Sequence, residues 1–112
     1  MGEIRYEVEL SRPALQDLEE IVAFIAADNP SAAERFGHLL IDQAEAIALH
    51  PLAGRVVPEF GDLLLRERVF RAYRIVYRVD EERRLIVVAR FWHGARGTPN
   101  VSDPADPSFP LL

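Results

Sequence analysis

The sequence predicts an α+β domain with the element order β-α-α-β-β-β, in which a helical hairpin packs on one face of a small antiparallel sheet. Two observations lead to this prediction. The first half of the chain holds one alternating apolar segment followed by two amphipathic segments, and the second half holds three strand-like segments joined by short turns. A chain of 112 residues, of which 49% are hydrophobic, suits a single compact core. We place the domain at residues 4–97 and a proline-rich C-terminal tail at residues 98–112.

The first strand and the two helices are predicted from the spacing of apolar residues. In residues 4–10, apolar side chains alternate with arginine and glutamate, which is the pattern of a strand buried on one face. Apolar residues then recur at steps of three and four over about residues 12–28, and again over about residues 30–49. Ser11 and Asn29 precede these segments as N-cap candidates, and each is closely followed by a proline that the first helical turn tolerates. So short a connection between two helices predicts an antiparallel hairpin.

Three more strands are predicted in the second half of the chain. Residues 51–62 contain two prolines and two glycines and are expected to form a loop. Strand-like segments follow at residues 63–70, 73–79 and 85–92, separated by short turns around residues 71–72 and at residues 80–83. The last segment, residues 98–112, has four prolines and little apolar content before its final two leucines, so we expect it to be extended or disordered.

The arginines are concentrated in one part of the chain. The net charge is −5, and all thirteen basic residues are arginine. Residues 1–62 hold four arginines against twelve acidic residues, whereas residues 63–97 hold nine arginines against four acidic residues. A basic segment therefore lies within an acidic protein.

Strand alternation predicts where these arginines point. Side chains two residues apart share one face of a sheet, and the apolar sets are expected to face the helices. The opposite face then collects Arg66, Arg68, Arg74, Arg78, Arg90 and Trp92. Planar guanidinium groups can bind carboxylates or phosphates through two parallel hydrogen bonds, so this face is a candidate surface for an acidic peptide or a nucleic acid. The alternative is a solvated face with cross-strand arginine–glutamate pairs.

Composition and spacing disfavour several classes of protein. The chain has no cysteine, which excludes disulfide frameworks, thiol catalysis and cysteine metal sites. His38, His50 and His93 lack metal-ligand spacing, and Gly54 lies in no phosphate-loop pattern, so we expect neither a metal nor a cofactor. No apolar run approaches the roughly 20 residues needed to cross a bilayer, and the N-terminus does not resemble a signal peptide. We therefore expect a cytoplasmic protein with no membrane partner.

Several segments, in this order and with the predicted helices before them, resemble the RelE/ParE superfamily of toxins from bacterial type II toxin–antitoxin modules. The matching segments are residues 51–59 (PLAGRVVPE), 65–67 (LRE), 73–79 (YRIVYRV) and 93–96 (HGAR). The similarity covers about residues 4–97 and leaves out the proline-rich tail. It implies a sheet curved against the helical hairpin.

The resemblance also implies a cognate antitoxin whose flexible C-terminal segment wraps around the toxin, and it leaves two targets open. ParE-like members inhibit DNA gyrase and have no established hydrolytic site, whereas RelE-like members are endoribonucleases that cut mRNA in the ribosomal A site. If the chain is a nuclease, Arg74 matches a third-strand arginine, Arg96 loosely matches a C-terminal cation, and His93 takes the place of a C-terminal tyrosine. Arg66 and Arg68 fall near the second-strand lysines of those enzymes if one gap is allowed.

Two features favour a ParE-like toxin of the plasmid-stabilisation type, which acts by binding. RNA binding is largely phosphate neutralisation, for which a chain of net charge −5 is poorly suited. The His-Gly-Ala-Arg sequence directly after the last strand also looks like the ParE-type ending. We therefore expect inhibition of DNA gyrase, with antitoxin or target bound at Arg66, Arg68, Arg74, Arg78, Arg90, Trp92 and Arg96. A ribosome-dependent mRNA endoribonuclease is the alternative, and a diverged, non-toxic binding module is the second alternative.

Overall fold

The computed structural model describes residues 5–101, and it confirms the predicted α+β fold. Five strands and two helices follow one another within this range. They are β1 (Glu7–Leu10), α1 (Arg12–Ala26), α2 (Pro30–Ala46), β2 (Arg55–Val56), β3 (Leu65–Phe70), β4 (Tyr73–Asp80) and β5 (Leu85–His93). Single 3₁₀ turns at Ile47–Leu49 and Gly94–Arg96 follow α2 and β5. The predicted start of the first strand at residue 4 and the tail residues 102–112 lie outside the described residues.

The helices pack on a five-stranded sheet with the strand order β1-β5-β4-β3-β2. Neighbouring strands are antiparallel except β1 and β5, which run parallel to each other. The prediction of a loop at residues 51–62 is wrong at Arg55 and Val56, which form β2 and lie opposite Glu67 and Arg66 of β3. Two residues are too few to show an alternating pattern, so this strand leaves no trace in the sequence.

Both helices begin at the predicted caps. Ser11 Oγ accepts a hydrogen bond from the Ala14 amide at 3.2 Å and donates one to the Ala89 carbonyl at 2.9 Å, which fixes the start of α1 against β5. Asn29 Oδ1 accepts a hydrogen bond from the Ala32 amide at 3.1 Å at the start of α2. No helix within the described part of the chain is long and apolar enough to cross a membrane.

Both faces of the sheet are covered. The larger core lies between the helices and the sheet and includes Ile21, Leu40, Ile75, Tyr77, Ile86, Val88 and Phe91. A second cluster lies on the opposite face, which we call the outer face, and consists of Val57, Leu65, Val76, Ala89 and Val101. Pro99 and Val101 are buried, so the described start of the predicted tail packs back on the domain.

A β-bulge interrupts the pairing of β4 with β5. Val76 lies opposite Arg90 and Tyr77 lies opposite Val88, so Ala89 is an extra residue between the two pairs. Side chains along a strand point alternately to the two faces of the sheet, and one extra residue exchanges the two faces for all residues before it. Strict alternation along the whole of β5 therefore predicts the wrong face for the residues before the bulge, where Val88 packs against the helices.

Candidate functional site

Four of the six residues predicted to share the outer face lie on it. They are Arg74, Arg78, Arg90 and Trp92. Arg90 lies opposite Val76, which belongs to the outer cluster, and residues paired directly across two strands share a face. The outer face therefore carries three of the predicted arginines and the tryptophan.

Arg66 and Arg68 lie on the helix-facing side of the sheet, so the predicted face is wrong for both. They are paired with Tyr77 and Ile75, which belong to the core between the helices and the sheet. The error arises at Leu65, which strand alternation assigns to the helix-facing side but which is part of the outer cluster. Because both faces of β3 are covered, an apolar residue does not identify the face that meets the helices.

Arg74 is held by two carboxylates. Its Nε donates to Glu67 Oε1 at 2.6 Å, and its two terminal nitrogens donate to the two oxygens of Glu59 at 2.7 and 2.8 Å. The Arg74 side chain is 11% exposed. Its hydrogen bonds lower the pKa of Glu59 to about 2 and raise the pKa of Arg74 above its ordinary value. All three nitrogens of the guanidinium group therefore donate hydrogen bonds to carboxylates of the same chain.

Glu67 lies at the centre of this arrangement, although the sequence pattern treats it as an interruption of the arginine face. Its side chain is fully buried and accepts hydrogen bonds from both Arg74 and Arg55. A buried carboxylate is stable only when it is paired and hydrogen-bonded. Glu67 therefore fixes the positions of two arginines from β2 and β4.

The other two outer-face arginines are also paired within the chain. Arg90 forms two hydrogen bonds, of 2.7 and 2.8 Å, with the carboxylate of Asp17 on α1, and these raise its pKa. The same carboxylate accepts a hydrogen bond from the Phe91 amide at 3.1 Å, so it connects the helical hairpin to the backbone of β5. Arg78 donates to Asp62 at 2.9 Å, just before β3. Each pair joins two elements of the fold.

Arg66 and Arg68 contact neutral groups. Arg66 donates hydrogen bonds to the carbonyls of Leu52, Gly54 and Leu63. It therefore connects β3 to the loop before β2 and to the loop before β3 itself. Arg68 donates to the side-chain oxygen of Gln43 on α2 at 2.8 Å and is exposed. Among residues 5–101, no carboxylate forms an ion pair with either of them.

Trp92 lies between two arginines. Its indole N–H donates to the Gly97 carbonyl at 3.0 Å. The guanidinium carbons of Arg90 and Arg96 lie 4.8 and 3.9 Å from the centre of the Trp92 ring, within the range of cation–π attraction. Trp92 is buried by these contacts, whereas Arg96 is exposed.

His93, the candidate acid–base group, lies on the opposite side of the sheet from Arg74. Its ring meets the ring of Tyr73, a helix-side residue, edge-on at a centroid distance of 5.1 Å. Its Nδ1 accepts the Ala95 amide at 3.1 Å. The Nδ1 lone pair is therefore used within the turn that follows β5. His93 acts in the fold as a cap for the last 3₁₀ turn.

The Pro-Leu-Ala-Gly-Arg segment is packed closely against β3 and β4. The Tyr77 hydroxyl donates to the Pro51 carbonyl at 2.8 Å, and burial raises the pKa of Tyr77. A Cβ atom at Gly54 would lie 2.7 Å from the Glu67 carbonyl oxygen and would also clash with the Tyr77 hydroxyl, so only glycine fits. The segment borders a pocket of about 290 Å³ that Arg68 also lines.

The sheet arginines therefore form a set of internal ion pairs at Arg74, Arg78 and Arg90. The open cationic surface expected from alternation is not present on the outer face at these three positions. The Arg74–Glu67 pair is a cross-strand arginine–glutamate pair of the kind that the alternative prediction describes. The other partners, Glu59, Asp62 and Asp17, are not predicted from the sequence, because they lie 15 to 73 residues from the arginines that they bind. No group of three or more acidic or histidine residues in the range 5–101 could hold a metal ion.

Known proteins share this fold. The family model described as the ParE toxin of the type II toxin–antitoxin system parDE matches residues 8–97. A chain of the toxin–antitoxin complex RelBE2 from Mycobacterium tuberculosis has a TM-score of 0.62 and 22% identity, over 82% of this chain and 94% of that chain. A chain of the chromosomal ParDE TA system from P. aeruginosa has a TM-score of 0.66 and 16% identity, over 82% of this chain and 98% of that chain. None of the curated proteins compared with the chain matches it significantly.

The fold and the family match together define a toxin of the RelE/ParE superfamily, as the sequence segments indicate. The chain belongs to the ParE toxin family of type II toxin–antitoxin systems. At 16% and 22% identity, the two solved structures support the fold alone.

Proposed function

We propose that this toxin acts by binding and inhibiting DNA gyrase, and that a cognate antitoxin neutralises it. The match to the ParE toxin family supports a ParE-like mode of action. The two structural relatives come from a toxin–antitoxin complex and a TA system, which supports an antitoxin partner for this chain as well.

The observation that carries the proposal is the state of the residues a nuclease would need. Metal-independent RNA cleavage requires a base, an acid and cations that converge on one phosphate. Here the Arg74 guanidinium is already bound to Glu59 and Glu67, and His93 lies on the other face of the sheet. A phosphate at Arg74 would have to displace two carboxylates. The negative net charge of −5 also disfavours binding to ribosomal RNA.

A purified assay tests this proposal. The full-length protein should inhibit gyrase-catalysed supercoiling of relaxed plasmid, and the antitoxin encoded by the adjacent reading frame should restore the activity. The same preparation should leave ribosome-bound mRNA intact. Cleavage of that mRNA with unchanged supercoiling would instead identify the RelE-like alternative.

The antitoxin is proposed to bind through the arginines that lack an internal carboxylate. The candidates for direct contact are Arg66, Arg68 and Arg96. The surface around them is formed by Arg74, Arg78, Arg90 and Trp92.

Arg68→Glu should weaken antitoxin binding by about tenfold, because an exposed guanidinium would be replaced by a repelling charge. Arg83→Glu, in the turn between β4 and β5, is the matched control and should change the affinity less than twofold. Equal affinities for both variants would contradict this placement.

A further inference from the structure

The pocket of about 290 Å³ beside the Pro-Leu-Ala-Gly-Arg segment lies at an open edge of the sheet, and we call it the edge pocket. Ile47 and Tyr77 line it from the side of the core. β2 begins at Arg55, opposite Glu67, so β3 has no strand partner on this side beyond Glu67. The space next to this unpaired part of β3 is the edge pocket.

Two arginines line the edge pocket and keep their terminal nitrogens available. Arg55 uses its Nε for Glu67, and Arg68 uses its Nε for Gln43. Among residues 5–101, no group accepts a hydrogen bond from the terminal nitrogens of either guanidinium. The Arg55 side chain is 61% exposed, and Arg68 is exposed as well. Each guanidinium can therefore bind an anion without giving up a contact that it makes in the fold.

The charge of the edge pocket is positive, although the chain as a whole is acidic. Its lining contains one carboxylate, that of Glu67, which is fully buried and already shared between Arg55 and Arg74. His50 also lines the pocket, and within the described range its exposed ring has no hydrogen-bond partner. The cations of the pocket thus outnumber its anions, unlike those of the outer face.

The unpaired edge of β3 adds a backbone donor. The Leu65 carbonyl accepts a hydrogen bond from the Val57 amide, so Leu65 directs its backbone groups towards β2. Backbone groups of a strand alternate between its two neighbours, so Val69, four residues further on, directs its N–H to the same side. Val69 lines the edge pocket beyond the last residue that pairs with β2, which leaves this N–H available to a ligand.

We infer that the edge pocket binds the phosphate group of a small molecule. Arginine binds phosphate through parallel charge-assisted hydrogen bonds, and a phosphate has enough oxygens to accept from Arg55 and Arg68 together. A carboxylate has only two oxygens, which a single guanidinium can occupy, so it matches the pair less well. Because Arg68 is also a proposed antitoxin contact, the bound ligand competes with the antitoxin, and this consequence rests on the proposed function.

Calorimetric titration of the full-length toxin with pyrophosphate at low salt tests the inference. Pyrophosphate should bind saturably, and malonate, which carries two carboxylates, should bind at least about tenfold more weakly. Arg68→Gln should weaken pyrophosphate binding at least about tenfold, whereas Arg83→Gln, which removes the same charge from the turn between β4 and β5, should weaken it less than about twofold. Ala53→Leu fills the pocket without a change of charge and should also weaken binding about tenfold.

The results distinguish the pocket from the function proposed above. No saturable binding of pyrophosphate, or equal binding by Arg68→Gln and Arg83→Gln proteins with unchanged unfolding midpoints, would overturn the inference. Equal affinity for malonate would overturn the assignment to phosphate. None of these titrations involves gyrase, so their failure leaves the proposed function intact.

Competition with the antitoxin is measured separately. Saturating pyrophosphate should weaken antitoxin binding at least about fivefold, because both ligands need the Arg68 guanidinium. If pyrophosphate binds through Arg68 and the antitoxin affinity stays the same, the competition is refuted and the antitoxin does not bind at Arg68, while the phosphate site stands.

Discussion

The outer face of the sheet and the helical hairpin are both rich in charge, but they use it differently. On the outer face, Arg74, Arg78 and Arg90 each bind a carboxylate from another element, so their charge holds the domain together. On the hairpin, Glu34 and Glu45 are exposed, and within residues 5–101 no cation pairs with them. The comparison shows that a cluster of charge in the sequence does not by itself predict a charged binding surface.

The largest effect on stability should come from the buried carboxylate of the sheet. Glu67→Ala leaves Arg74 and Arg55 without their shared partner, and removing one member of a buried ion pair costs about 3 kcal/mol. Urea unfolding should show this loss. Glu34→Ala on the hairpin is the control and should change the free energy of unfolding by less than about 0.5 kcal/mol. Similar losses for the two variants would contradict the distinction between the regions.

A smaller but clear loss is expected where the hairpin joins the sheet. Asp17→Asn removes the charge that binds Arg90 and weakens the acceptor for the Phe91 amide, so we expect a loss of about 2 kcal/mol. Glu19→Gln, two residues further along α1, should change stability by less than about 0.5 kcal/mol. Chemical denaturation of both variants checks this, and an unchanged Asp17→Asn protein would show that the pair does not stabilise the fold.

Gly54 tests whether the loop before β3 is fixed in place. An alanine there would push against the Glu67 carbonyl and the Tyr77 hydroxyl, so Gly54→Ala should destabilise the protein by about 1–2 kcal/mol. Gly94→Ala is the matched control, because a Cβ atom at Gly94 meets its nearest neighbour at an ordinary 3.4 Å. Equal unfolding midpoints for the two variants would show that the loop yields at little cost.

The last comparison concerns the dependence of stability on acid. Arg74 lowers the pKa of Glu59 from 4.5 to about 2. A group with a depressed pKa contributes its stability above its unfolded pKa, and that contribution is lost as the pH falls through the folded value. The urea concentration at the unfolding midpoint should therefore decrease as the pH is lowered from about 4.5 to about 2. The decrease should be less steep in Glu59→Gln. A variant with the same pH profile as the unsubstituted protein would contradict the role of this pair.

Local features of the fold were predictable, and long-range ones were not. The caps at Ser11 and Asn29 depend on the next few residues, so the sequence around them is sufficient. The partner of Arg90 is 73 residues away, and no local pattern relates the two positions. The faces of β3 and β5 were assigned by assuming a single buried face, but Leu65 and Ala89 belong to a second cluster, and Ala89 is also a bulge.

The family could be predicted because its segments are short and local, whereas the site could not. Residues 51–59 and 73–79 carry the resemblance directly in the sequence. Whether an arginine in those segments is open to a partner depends on how the fold pairs it with carboxylates such as Glu59 and Glu67, and the segments themselves do not reveal that pairing.

The central claim, that this toxin acts by binding and not by cutting RNA, is tested most directly by His93→Asn. Asparagine can still cap the turn at Ala95 with its side-chain oxygen, but it cannot transfer a proton at neutral pH. Growth of cells expressing this variant, at protein levels matched to the unsubstituted toxin, measures its toxicity. We predict growth inhibition within about twofold of the unsubstituted protein, because a binding mode does not use the imidazole. Loss of inhibition by about a hundredfold or more, with the folded protein still present, would be the signature of acid–base catalysis and would contradict this account.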